Sequence, residues 1–143
     1  MRFRQNTKVG ALGKSPLFEG LSRRQLGQIA QVSDDLEVPA GTVLCEEGTR
    51  GHEFFVIVDG DATVSRGGQP IATIGAGDFF GEIALLERVR RTATVTATTP
   101  MSFFVISAAA FDSVVEVDPT IERRLLHALA RRLLPMSGDP AKD

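Results

Sequence analysis

The segment GDFFGEIALLERVRRTATVTA, residues 77–97, places one carboxylate, Glu82, and a double arginine, Arg90-Arg91, in a largely small and apolar setting. Arg91 carries a full positive charge on a planar fork of donors that matches phosphate oxygens. Glu82 cannot share in holding an anion, because like charges repel. Its carboxylate can instead accept hydrogen bonds from sugar hydroxyls. Gly81 permits a tight backbone path, and the good helix formers of EIALLER predict a short helix whose free N–H groups favour an anion. An acid for hydroxyls beside a base for a phosphate describes a nucleotide site; a solvated acid and a solvated base are the plain alternative.

Such a site needs elements to hold it. The spacing predicts a helix over LSRRQLGQIAQV, with Ser22 as N-cap and Leu26, Ile29, Ala30 and Val32 along one side. SPLFEG before it reads as a turn or short helix. Residues 34–106 are β in character. The short runs TVLC, FFVIV, ATV, IATI, TATVTAT and SFFVI alternate with turn signals such as Pro39-Ala40-Gly41, Asp59-Gly60-Asp61 and Gly67-Gly68. That spacing predicts an antiparallel sandwich or barrel. In TATVTAT the period is two, with Ala93, Val95 and Ala97 facing one way and the threonines the other. Two helices close the chain: one capped by Ser107, and one entered through Asp118-Pro119, carrying Ile121, Leu125, Leu129 and Leu133, and stopped by Pro135.

Composition narrows the class. The chain has 143 residues, enough for one domain, and 43% hydrophobic content is ordinary for a globular chain. A net charge of −2 supplies no basic footprint for nucleic acid. The longest aliphatic and aromatic run, Phe54–Val58, is far short of a membrane helix, so no membrane contact by this chain is expected. One cysteine, Cys45, rules out an internal disulfide and fits a reducing, cytoplasmic setting. His52 and His127 belong to no cluster with metal-ligand spacing.

The residues GDFFGEIALL…RRTATV resemble the phosphate-binding cassette of cyclic nucleotide-binding domains, as found in catabolite-activator-type regulators, cyclic nucleotide-dependent kinases and gated channels. LFEGLSRRQLGQIA is similar to the family's leading helix, and VPAGTVLCEEGTRGHEFFVIVDGDATV to its first strands. SFFVISAAAFDSVVEVDPTIERRLLHALARRL is similar to its last strand and closing helices. The resemblance implies an α+β, mainly β fold: an antiparallel β jelly-roll barrel with an N-terminal helical segment and two C-terminal helices. Residues 1–14 would be a flexible basic segment, 15–134 the domain with its cassette at 77–92 and a lid helix at about 119–134, and 135–143 a disordered tail.

By the same resemblance, Phe80, Gly81, Glu82, Ile83, Ala84, Leu85, Arg91 and Thr92 would form the ligand site. Gly81 and Glu82 would meet the ribose 2′-hydroxyl. Ile83, Ala84 and Leu85 would lie on the cassette helix, with the Ala84 amide near the cyclic phosphate. Arg91 would pair with that phosphate, and Thr92 would lie close to both phosphate and purine. The ligand would be cAMP or cGMP, with no catalytic residue, metal or further cofactor. Many family members close an aromatic or cationic side chain over the base from the last helix. Here that helix has no aromatic residue, which leaves Leu125, Leu126, Leu129, Arg131 or Arg132 for the task.

The implied function is a regulatory sensor whose closing helices, 108–134, reposition on binding and signal to an effector domain or partner protein. A cupin-type enzyme would need several converging His and Glu ligands, which two scattered histidines do not supply. A ligand-free domain used for dimerisation or docking is the alternative, and the presence of both Glu82 and Arg91 weighs against it.

Overall fold

A computed structural model describes residues 3–85, 87 and 89–137; the side chains of Leu17, Glu82, Ile83, Leu129 and residues 132–137 lie outside that description. In chain order the elements are α1 (Gln5–Gly13), α2 (Arg23–Gln31), β1 (Asp34–Val38), β2 (Val43–Cys45), β3 (Glu53–Asp59), β4 (Ala62–Arg66), β5 (Gln69–Ile74), β6 (Phe79–Phe80), β7 (Thr94–Ala97), β8 (Met101–Ser107), α3 (Ala108–Val117) and α4 (Thr120–Ser137). Single 3₁₀ turns span Pro16–Phe18 and Glu82–Leu85.

The strands form two four-stranded antiparallel sheets, ordered β1-β8-β3-β6 and β2-β7-β4-β5. The continuous apolar runs of β3 and β8 explain the layering. Phe54, Val56, Phe104 and Ile106 point into a core shared with the helices, where Leu12, Phe18, Ile29, Phe111, Ile121 and Leu125 are buried. Their alternating neighbours Phe55, Ile57, Phe103 and Val105 point the other way, against Ala62, Val95 and Ala97 of the second sheet. A strand buried on both faces reads as an unbroken hydrophobic run rather than an alternating one. β7 shows the expected period of two, with Val95 and Ala97 buried and Thr94 and Thr96 only half buried.

Two separate antiparallel sheets fall within the sandwich-or-barrel expectation, and no closed barrel is seen among the described residues. β6 has two residues and β2 has three, too short to carry a ladder around the sheet edges. β1, with the sequence DDLEV, lies inside the stretch 34–106 read as β but was not among its named runs, since acidic residues are poor strand formers. It is recruited as an edge strand by β8, with Leu36 opposite Phe103.

The helices dock as a layer. Ser22 and Gln25 make a reciprocal capping box at α2: Gln25 N–H donates to Ser22 Oγ (3.1 Å) and Ser22 N–H donates to Gln25 Oε1 (3.0 Å). The Gln25 side chain then donates to Asp118 Oδ2 (3.1 Å) and accepts from Arg124 Nη1 (2.9 Å), which fastens α4 to α2. Residues 5–13, set outside the domain by sequence, form α1. Its Lys8 makes a buried ion pair with Asp35 (2.6 Å), whose other oxygen accepts from Phe3 N–H (2.6 Å). Ser107 caps α3 as expected, accepting from Ala110 N–H (3.1 Å). α4 continues through Pro135 to Ser137 instead of stopping, because a proline in the last turn removes a single backbone bond and spares the turns before it. Residues 138–143 of the expected tail lie outside the described residues.

Candidate functional site

Arg91 is held by backbone on several sides. Residues 89–91 run antiparallel to residues 48–51: Gly51 N–H donates to Val89 carbonyl (3.0 Å), Gly48 N–H to Arg91 carbonyl (2.9 Å), and Arg91 N–H to Thr49 carbonyl (2.7 Å). The Arg91 side chain leaves this ribbon and donates from Nη2 to the Glu53 carbonyl (2.9 Å). Its guanidinium carbon lies 5.8 Å from the centre of the Phe55 ring, within reach of a cation–π attraction. Phe55 is itself stacked on Phe80 at 4.5 Å, across the β3–β6 pairing.

Two glycines make room for that guanidinium. A Cβ on Gly51 would lie 2.6 Å from Arg91 Nε, and one on Gly81 would lie 2.5 Å from Arg91 Nη1 and 2.6 Å from the Glu53 carbonyl oxygen. Gly81 also has φ +84°, a left-handed conformation that side-chain-bearing residues seldom adopt. Its identity is thus fixed twice, by dihedral angle and by the arginine beside it. No described carboxylate pairs with Arg91; the ion pair that is seen lies elsewhere, between Lys8 and Asp35.

The cradle opens into a cavity of about 480 Å³ lined by Val64 and Arg66 of β4, Ile74 of β5, the Phe79–Gly81 corner, Ala84, residues 89–93, Val95 and Cys45. Its walls are largely apolar, and its cations are Arg66, Arg90 and Arg91. Burial raises the pKa of the Cys45 thiol, a rise that the positive charge of Arg91 partly opposes. The space suits a drug-sized, mostly apolar ligand bearing an anionic group.

The structure brings Phe80, Gly81, Ala84, Arg91 and Thr92 together on this cavity. Leu85 is buried in the helix-side core instead. The helix expected at the cassette is one 3₁₀ turn, Glu82–Leu85, in which the Ala84 amide donates to the Gly81 carbonyl (3.0 Å). The side chains of Glu82 and Ile83 lie outside the described residues. The candidates named for capping the base do not line the cavity: Leu125 is fully buried among the helices, Leu126 is 54% exposed, and Arg131 lines a groove with Glu19 and Gly20. The side chains of Leu129 and Arg132 lie outside the described residues.

Sequence reasoning passed over Gly51, Val64, Arg66, Ile74 and Cys45. Alternation along β4 puts Val64 and Arg66 two residues apart, a signal for one shared face, but which face needs the sheet partner. Among the described residues no group of His, Cys, Asp and Glu could hold a metal ion.

A helix-flanked pair of sheets with an arginine cradled at one end of an apolar cavity defines a small-ligand binding module. Residues 35–118 match the family model of the cyclic nucleotide-binding domain, and the chain belongs to that family. It is 37% identical over 129 residues to a cyclic nucleotide-gated potassium channel of Rhizobium etli, covering 90% of this chain and 35% of the channel. It is 35% identical over 127 residues to a cAMP-dependent protein kinase regulatory subunit of Mycosarcoma maydis, covering 86% of this chain and 22% of the subunit. The chain therefore spans about a third or less of these relatives. Among solved structures, the N-terminal domain of a transcriptional regulator from Streptomyces coelicolor superposes with a TM-score of 0.82 at 26% identity, covering 89% of this chain and 94% of that one. No described helix is long and apolar enough to cross a membrane.

Proposed function

We propose that the cavity takes a 3′,5′-cyclic nucleotide, cAMP in the first place and cGMP in the second, and that the chain acts as a cytoplasmic sensor without catalysis. The observation that carries this reading is the Arg91 guanidinium, cradled by Gly51, Gly81 and the Glu53 carbonyl and without a described carboxylate partner. A monoanionic cyclic phosphate placed there would complete its donors with charge-assisted hydrogen bonds. Gly81 and Glu82 would receive the ribose 2′-hydroxyl, Phe80 would support the corner through its stack on Phe55, and Ile83, Ala84 and Leu85 would shape the turn beneath the sugar and phosphate. Thr92, exposed on the cavity rim, would stand near the purine. Because the Ala84 amide already donates to Gly81, it would have to exchange that bond to reach a phosphate.

Residues 15–134 form the binding unit in this reading, with α1 packed onto it. Binding would move the C-terminal helices, since α4 contributes no described residue to the cavity and carries Leu126 exposed to solvent. A ligand moves such an equilibrium only by binding one helix arrangement better than the other. An effector domain or partner protein would read the change. The interleaved strand order supports reading the two sheets as a jelly roll.

Isothermal titration with cAMP and cGMP, and AMP as control, tests the reading. Saturable heats with the cyclic nucleotides and much weaker ones with AMP are expected. No heat with either cyclic nucleotide would favour the ligand-free docking domain instead.

A further inference from the structure

Resting on the cyclic-nucleotide reading, we propose that Arg66 of β4 contacts the purine, its guanidinium plane lying against the base in a cavity that no described residue of α4 lines. Beside the Arg91 cradle, the cavity lining includes Val64, Ile74, Ala93 and Val95, aliphatic surfaces fit for one face of a flat heterocycle. What covers the other face is not among the described residues of α4. The two phenylalanines of the lining are already engaged: Phe80 stacks on Phe55 at 4.5 Å, and Phe79 packs edge-on against Phe54 at 6.0 Å. Arg66 is the planar group of the lining that lies outside the ribbon of residues 89–91.

Arg66 is also held in place before any ligand arrives. Its Nε donates to the Thr92 carbonyl (2.9 Å), which ties the end of β4 to the residue following Arg91. The next residue, Gly67, donates its N–H to Glu47 Oε1 (2.9 Å), pinning the β4–β5 turn from the other side. Through this anchoring one edge of the guanidinium is used and its two terminal nitrogens have no hydrogen-bond partner among the described residues. A planar cation fixed along one edge, with an open face and free donors, can stack on a purine at little cost in side-chain entropy. Lysine offers a point charge with no plane and cannot substitute for it.

The test compares wild type, Arg66→Ala and Arg66→Lys by titration with cAMP and with ribose 3′,5′-cyclic phosphate, which lacks the base. Binding of cAMP should weaken roughly threefold to thirtyfold in Arg66→Ala, with most of that loss retained in Arg66→Lys, while the base-free ring loses little. A second readout does not depend on affinity. The Arg66 Nε–H resonance, assigned by its disappearance in Arg66→Lys, should move upfield under the ring current of bound cAMP and stay in place with the base-free ring. Equal losses for both ligands, with no ring-current shift, would assign Arg66 to charge attraction or loop bracing and overturn the proposal. Unchanged cAMP affinity in Arg66→Ala would overturn it too. Failure of the underlying reading looks different, since wild type would then bind neither cAMP nor cGMP.

Discussion

The Arg91 cradle and the aliphatic remainder of the cavity are built in opposite ways. At the first, backbone does the positioning: three main-chain hydrogen bonds fix the ribbon, a fourth carbonyl takes the guanidinium, and two glycines clear space for it. At the second, aliphatic walls and one tethered arginine face open space, and the helix whose sequence suggested a lid is packed away among α2 and the 3₁₀ turn. The difference teaches where affinity and response would come from. A site made of backbone is rigid and selects one chemical group, whereas a wall awaiting a partner can exist in two arrangements.

The largest effect expected separates α4 from the cavity. Leu125 is fully buried in the helix-side core, so Leu125→Ala should lower stability by about 2–5 kcal/mol. Leu126, one residue on and 54% exposed, should change stability by less than about 0.5 kcal/mol on truncation. Thermal melts of the two variants check this. If Leu126→Ala keeps the wild-type melting temperature but weakens cAMP binding, α4 does reach the ligand after moving. Unchanged binding would confine α4 to its present place and sharpen the contrast.

Next in size is the rigid cradle. Arg91→Ala removes a charged, hydrogen-bonded contact worth roughly 1.5–3 kcal/mol, a loss of roughly tenfold to a hundredfold in cyclic nucleotide affinity. Gly81→Ala keeps the charge but drives a methyl against the guanidinium and the Glu53 carbonyl in a left-handed conformation. It should therefore weaken binding in the same direction while also lowering the melting temperature. Calorimetry showing wild-type affinity in both variants would remove the phosphate from this cradle.

This contrast also accounts for what could be read from sequence. Local signals were sufficient for Ser22, Ser107 and the TATVTAT alternation, because caps and strand period depend on near neighbours. The glycine and arginine of residues 77–92 were legible by resemblance to a family motif rather than by local physics. β1 and α1 were not, since DDLEV becomes a strand only beside β8, and Lys8 in α1 is buried only against Asp35. The places of Arg66 and Cys45 on the cavity were not legible on similar grounds: nothing in ATVSR or TVLC says which face meets a cavity until the sheets are paired. Leu125, one of five side chains left open for covering the base, is spent on the helix-side core, as an apolar residue of an amphipathic helix can be.

A smaller effect concerns the cavity rim. Thr92 is exposed on the cavity edge, and in the proposed reading its hydroxyl would stand near a purine substituent. Thr92→Ala should lower affinity for cGMP more than for cAMP, by a difference of about 1 kcal/mol if one hydrogen bond is lost. Parallel losses for the two nucleotides would take Thr92 out of base selection and leave that role to the β4 side.

The smallest expected effect uses Cys45 as a reporter of the charge that Arg91 carries into the cavity. Burial raises the pKa of this thiol, and the positive guanidinium counteracts part of the rise by favouring thiolate. Alkylation by iodoacetamide proceeds through the thiolate, so its rate in the folded protein should climb with pH around a midpoint above that of an exposed thiol. Arg91→Ala withdraws the opposing charge and leaves the burial, which should move the midpoint higher still. A bound cyclic phosphate neutralises the same guanidinium and should act in that direction too, besides blocking access. A midpoint that falls or stays fixed in Arg91→Ala would mean that the thiol does not feel the guanidinium charge.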